Sequence, residues 1–234
     1  MRTIKNTGIR GGTAAECGRG PDASLDSRRQ RRFLQRPSLR WRVSDVTVTV
    51  VIAVASGVVF WGVDLIYSPV SALFQVVPGL NALLDGLYYF AGPLAMLIVR
   101  KPGAALFSEL VAAFVEAILG SLWGGMGTLL PGLAQGLGAE LAFLIFCYRF
   151  WNVGVTVFSG GLAALGGSLV AWPLYYVGSG IGFLAVTFVC SIVSGMVLSG
   201  ALMWYLYRAI AKTGAIDRLS GGSVRGSAPK SDGR

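Results

Sequence analysis

Five carboxylates, Asp64, Asp85, Glu109, Glu116 and Glu140, stand in a long apolar stretch whose only basic residues are Arg100, Lys101 and Arg149. An acid without a basic partner is costly in an apolar medium and usually faces an interior cavity. Each must carry a proton, accept hydrogen bonds from backbone amides, or meet a cation or a ligand rich in donors. Glu109 and Glu116 are seven apart, two helical turns, and so share one helix face. If the chain turns near Trp123, counting ~1.5 Å per residue puts Glu116 level with Gln135, and Glu109 level with Glu140. Tyr88 falls at about the depth of Glu116. For Glu109 and Glu140, bonding to backbone amides at helix junctions competes with ligand contact. For Glu116 with Gln135, ligand contact is the expectation. Asp64 and Asp85 fall near the outer face, where wet headgroups are the cheaper partners, although Asp85 stays a candidate ligand contact. Among Trp123, Tyr88, Tyr89, Trp172, Tyr175 and Tyr176, most suit an interfacial aromatic belt. Trp123, in a turn without lysine beside Glu116, is expected to stack on a flat ligand, with cation–π attraction if that ligand is charged.

Catalysis finds no footing in these residues. The chain has no histidine, which removes Ser-His-Asp triads and imidazole zinc sites. No Walker A sequence and no intramembrane aspartyl-protease G-x-G-D motif occur. Cys17, Cys147 and Cys190 are far apart and form neither a disulfide framework nor a metal site. The expectation is a protein that is not an enzyme, with no metal and no cofactor.

The elements that hold these side chains must lie in lipid. Apolar residues make up 54% of 234 positions, charged residues only 13%, and mean hydropathy is +0.64; a soluble domain carries about 25% charged residues. Six apolar stretches, near residues 46–65, 79–99, 104–120, 127–147, 153–172 and 181–207, approach the ~20 residues needed to cross hydrocarbon. Breaks are expected at Ser68-Pro69, Pro78-Gly79, Pro102-Gly103, Gly124-Gly125, Trp151-Asn152 and residues 176–180. Eleven of the 20 Lys and Arg precede position 43 and six follow Tyr207. With the basic N-terminus inside, the loops carrying Arg100, Lys101 and Arg149 fall on the cytoplasmic side, and the other three loops have no basic residue. The predicted fold is all-α: a six-transmembrane-helix bundle with both termini cytoplasmic, in the plasma membrane. Residues 1–42 and 211–234 are expected to be disordered cytoplasmic tails around a membrane domain over 43–210. The Arg cluster from Arg28 to Arg42 is expected on anionic lipid headgroups rather than on nucleic acid. Ala53 and Gly57 form a small-xxx-small pair that allows close approach of another helix, within the chain or from a partner.

The run from Arg100 to Leu106 (RKPGAAL), then Glu109, Glu116 and Gly120, then residues 135–140 (QGLGAE), resembles the YkoE family, the substrate-binding S components of energy-coupling factor (ECF) transporters. The resemblance covers roughly residues 41–212. It implies uptake of thiamin or its hydroxymethylpyrimidine precursor, with a transmembrane T component and cytoplasmic ATPase subunits as partners. It further implies docking of the T component at an A-x-x-x-A site on the first helix, where Ala53 matches and Gly57 replaces the second alanine. The ligand would meet Glu116, Gln135, Trp123, Tyr88, Glu140, Glu109 and Asp85. A coupling subunit or another permease is the alternative, but it would call for long, charged cytoplasmic helices, and the inside loops are short.

Overall fold

A run of 31 residues without Lys or Arg, Val43–Leu73, forms the first helix, α1. At ~1.5 Å per residue it is longer than hydrocarbon requires. The structure, a computed structural model, describes residues 40–74 and 77–213. The two expected tails therefore lie almost wholly outside the described residues. All described elements are helical. After α1 come a 3-10 segment (Leu80–Tyr88), α2 (Ala91–Val99), α3 (Ala104–Gly120), a short 3-10 segment (Gly125–Thr128), α4 (Leu129–Ile145) and α5 (Val153–Tyr175). The last stretch is α6 (Ile181–Ser194), a π segment (Gly195–Leu202) and α7 (Met203–Lys212). Five segments are long and apolar enough to cross a membrane: Val43–Leu73, Leu80–Val99, Gly125–Ile145, Val153–Tyr175 and Ile181–Lys212. Helix α3, with 17 residues, packs against α1, α2 and α4.

Three expectations need correction. Ser68-Pro69 does not end α1: the helix continues through Pro69 to Leu73, as transmembrane helices do where nearby Ser or Thr hydroxyls help satisfy the backbone. The Ser71 hydroxyl donates to Ser68 O at 3.0 Å in the same turn. Second, residues 79–99 are not one α-helix: the nine residues Leu80–Tyr88 wind as 3-10, longer than the three or four residues usual for that form. Backbone groups there bond to the last helix instead. Gly86 N–H donates to Ser194 Oγ at 3.1 Å, the Ser194 hydroxyl donates to Leu83 O, and the Ser199 hydroxyl donates to Tyr89 O at 2.9 Å.

The third correction is the docking pair. Ala53 is fully buried, and a Cβ on Gly57 would stand 2.6 Å from Ala112 O and 2.7 Å from Val115 Cβ. The Ala53–Gly57 face is covered by α3 of the same chain and is not free for a partner. The small-residue spacing predicts close approach correctly, but the approaching helix is internal.

Candidate functional site

Two carboxylates of the α3–α4 region bond to helix starts. The first N–H groups of any helix lack intrahelical acceptors and carry the positive end of its dipole. Glu140 accepts from Gly103 N–H at 2.7 Å and Ala105 N–H at 3.0 Å, the start of α3, and from the Tyr148 hydroxyl at 2.7 Å. Burial first, then the neighbouring carboxylate, push the pKa of the Tyr148 hydroxyl above its ordinary value, which keeps it a donor. The fully buried Glu109 accepts from Gly92 N–H, at the start of α2, at 2.8 Å. Both were expected near a ligand; neither lines the cavity described below.

The same basic end gathers the loop that follows α2. Arg100 adopts the left-handed conformation (φ 54°), donates to the Tyr207 hydroxyl at 2.8 Å and lies 5.3 Å from the Trp151 ring centroid. Lys101 Nζ lies 3.9 Å from Asp45, and Trp41 Nε1 donates to Pro102 O at 3.0 Å. The basic block and Glu140 thus clasp one end of the bundle together.

The cavity opens toward the other end, ~28 Å along α1 from Asp45 if measured to Asp64. Glu116, Gln135, Trp123, Tyr88 and Asp85 all line it, on α3, α4, the Ser121–Gly124 turn and the long 3-10 segment. Three residues per turn place Asp85 and Tyr88 on one face of that segment, and the face points into the cavity. The depth count needs revision, however. Thr128 Oγ1 donates to Ala113 O, and Cβ atoms at Gly132 and Gly136 would touch Ala113 and Leu106. Glu109, not Glu116, therefore stands level with Gln135, because Gly125–Thr128 already runs back alongside α3. Glu116 and Gln135 line one cavity at two depths.

Glu116, Tyr88, Trp123 and Asp85 each have a neighbour that holds them. Ser121 Oγ donates to Glu116 at 2.8 Å and accepts from Trp123 N–H at 3.1 Å. Tyr88 donates to Asp64 at 2.8 Å, and Leu122 N–H donates to Asp64 at 3.1 Å. The Trp123 ring lies 5.1 Å from Tyr67, 5.5 Å from Tyr175 and 6.3 Å from Tyr88. Tyr175 also donates to Trp123 O at 2.9 Å, tying the end of α5 to the turn. Asp85 faces Ser191, whose hydroxyl also meets Tyr89 at 2.9 Å and Ser168 at 3.1 Å. Glycine at position 167 leaves room for the Gln135 side chain; a Cβ there would stand 2.9 Å from Gln135 Cγ.

Sequence reasoning missed Asp64, which is 6% exposed and meets Tyr88, not headgroups. Its signal was present. Ala53, Gly57, Phe60, Asp64 and Tyr67 repeat at four and three residues, so the stripe that packs inward at Ala53 carries Asp64 inward too.

Helices around an acid- and aromatic-lined cavity, with no basic residue among those described at its wall, define a membrane-embedded binding subunit. Comparison with known proteins agrees. A crystal structure of an S component of an ECF transporter superposes with a TM-score of 0.71 at 28% sequence identity, covering 77% of this chain and 90% of that one. YkoE of Bacillus subtilis (strain 168), whose name assigns it as an HMP/thiamine permease protein, is 30% identical over 186 residues, 77% of this chain and 89% of that protein. The profile of a family described as the permease component of an ABC-type cobalt transport system matches residues 44–166. The chain belongs to this permease family, as a YkoE-like S component of the ECF type. It is a multi-pass membrane protein with a substrate-binding transport role, and not an enzyme.

Proposed function

We propose that the cavity captures thiamin or hydroxymethylpyrimidine from outside the cell for ATP-driven uptake, with a T component and ATPase subunits as partners. The carrying observation is a wall that combines Glu116, Asp85, Trp123 and Tyr88 with no basic residue among the described lining residues. Thiamin offers a cationic thiazolium and a flat aminopyrimidine with an exocyclic amine. Carboxylates accept from the amine and balance the cation, while the aromatic rings stack. The cobalt named in the family description fits the donor set poorly. The sequence has no histidine, and no group of three or more His, Cys, Asp or Glu side chains gathers among the described residues. Titrating thiamin into purified protein should quench tryptophan fluorescence saturably, because Trp123 faces the ligand. A cobalt salt should leave the signal unchanged. Saturable quenching by cobalt and none by thiamin would reverse the reading.

Helix α3 counts as the sixth crossing, and both termini lie in the cytoplasm. This places the Arg100–Lys101 clasp inside and the cavity in the outer half of the bilayer, and it follows from the distribution of Lys and Arg between loops. Reporter fusions at Arg234 and near Gly178 should therefore report opposite sides. The same side for both would defeat the six-helix topology.

A further inference from the structure

Gln135 stands on α4 where glycines bring α5 into backbone contact: Cβ atoms at Gly138 and Gly166 would overlap Leu162 O and Ala134 O. Gly167 of α5 lies against its side chain. A Cβ there would stand 2.9 Å from Gln135 Cγ and 3.1 Å from Nε2. The glycine seam thus fixes where the amide sits. Gln135 lines the cavity, is 9% exposed, and its amide has no hydrogen-bond partner among the described residues.

The polar groups around it are already engaged. Tyr89, whose ring edge a Cβ at position 167 would meet at 3.3 Å, bonds through its hydroxyl to Ser191 at 2.9 Å. Ser168 bonds to Ser191 at 3.1 Å. The Thr128 hydroxyl donates to Gly125 O and the Tyr88 hydroxyl to Asp64, both at 2.8 Å. Water can satisfy the amide while the cavity is empty, but a ligand that displaces this water must replace its bonds or lose affinity. A carboxamide presents a donor beside an acceptor in one plane. Its complement is a ring nitrogen next to an exocyclic amine, the edge that Asn and Gln read in adenine. An aminopyrimidine carries that edge, and a thiazolium ring does not.

We propose that Gln135 recognises the aminopyrimidine, its carbonyl accepting from the exocyclic amine while its NH2 group donates to the adjacent ring nitrogen. Glu116, at another depth and bonded to the Trp123 turn through Ser121, is then left to the thiazolium. The pyrimidine half alone satisfies Gln135, so hydroxymethylpyrimidine is a ligand in its own right. The charged ring adds contacts to a site that the pyrimidine already defines.

The assignment rests on the reading of the cavity as a thiamin or hydroxymethylpyrimidine site, and a cycle of ligands and variants separates the two. Calorimetry compares hydroxymethylpyrimidine with its analogue bearing hydrogen in place of the 4-amino group, on the purified full chain and on Gln135→Met. In the parent protein, loss of the amine should weaken binding by about ten- to a hundredfold, the discrimination of one bidentate pair. In Gln135→Met the two ligands should bind nearly alike, and thiamin should weaken by the same factor as hydroxymethylpyrimidine. A merely structural Gln135 would lower both affinities and keep their ratio; an unchanged ratio therefore overturns the assignment. Equal binding of the two ligands to the parent, or binding of thiamin without hydroxymethylpyrimidine, overturns the assignment and leaves the cavity a ligand site. Absence of binding by thiamin and hydroxymethylpyrimidine alike overturns the reading of the cavity, and the assignment with it. If Gln135→Met does not fold, Gly167→Ala takes its place. The nearest contacts of its Cβ are side-chain atoms of Gln135 and Tyr89, which can shift, so the amide moves and the ratio should fall. An unchanged ratio there has the same meaning as in Gln135→Met.

Discussion

Glu116→Gln is expected to weaken thiamin binding by roughly ten- to a hundredfold, the equivalent of about 1.5–3 kcal/mol for one charge-assisted contact. The substitution keeps size and hydrogen bonding, and Ser121 can still donate to the amide oxygen, so the loss reports the charge. Comparing two ligands locates the contact. If Glu116 faces the thiazolium, thiamin alone weakens; if it faces the pyrimidine, hydroxymethylpyrimidine weakens as well. Trp123→Ala removes the wall against Tyr67, Tyr88 and Tyr175 and should abolish most of the fluorescence response along with affinity. Unchanged affinity for both ligands in both variants would assign these residues to packing and the interfacial belt.

Gly57→Leu should have the larger effect on folding. The first added carbon would stand 2.6 Å from Ala112 O, a backbone atom that cannot rotate away. Overpacking a core by a few methylenes costs about 1–3 kcal/mol even where side chains can yield. Little folded protein should be recovered in detergent. Gly62→Leu, five residues along the same helix, is the matched control, since a Cβ there meets nothing within 4 Å. It should fold like the parent. Equal recovery and equal thermal stability of the two variants would mean that α1 and α3 are not closely packed at Gly57.

These outcomes bear on what a sequence can disclose. The start of the helix over residues 104–120 was legible from the Pro102-Gly103 break before it; its end was not, since the break was expected at Gly124-Gly125 and the chain leaves the helix at Gly120, which takes a positive φ of 110°. The gathering of Glu116, Gln135, Trp123, Tyr88 and Asp85 was legible because uncompensated polar groups in an apolar chain must find each other or a ligand. The partner of each acid was not. A lone carboxylate needs donors, and a helix start supplies them as readily as a ligand does; Glu109 and Glu140 take the first course. Ala53 and Gly57 likewise disclose a close approach without disclosing by whom. The 3-10 winding of residues 80–88 was hidden for a further reason. Its support comes from Ser194 and Ser199, more than a hundred residues away, and no local pattern carries that information.

The distant support has a consequence for biogenesis. In lipid a polar backbone group must be satisfied by protein. Leu83 O is bonded by a serine 111 residues later in the chain, and Tyr89 O by one 110 residues later. During synthesis the second span therefore emerges long before its hydrogen-bond donors exist. Until the final helix is made, that span must hold a different backbone winding or stay beside the insertion machinery. The wall that carries Asp85 and Tyr88 is thus among the last parts of the protein to mature, and a chain truncated before Ser194 would enter the membrane without a finished site.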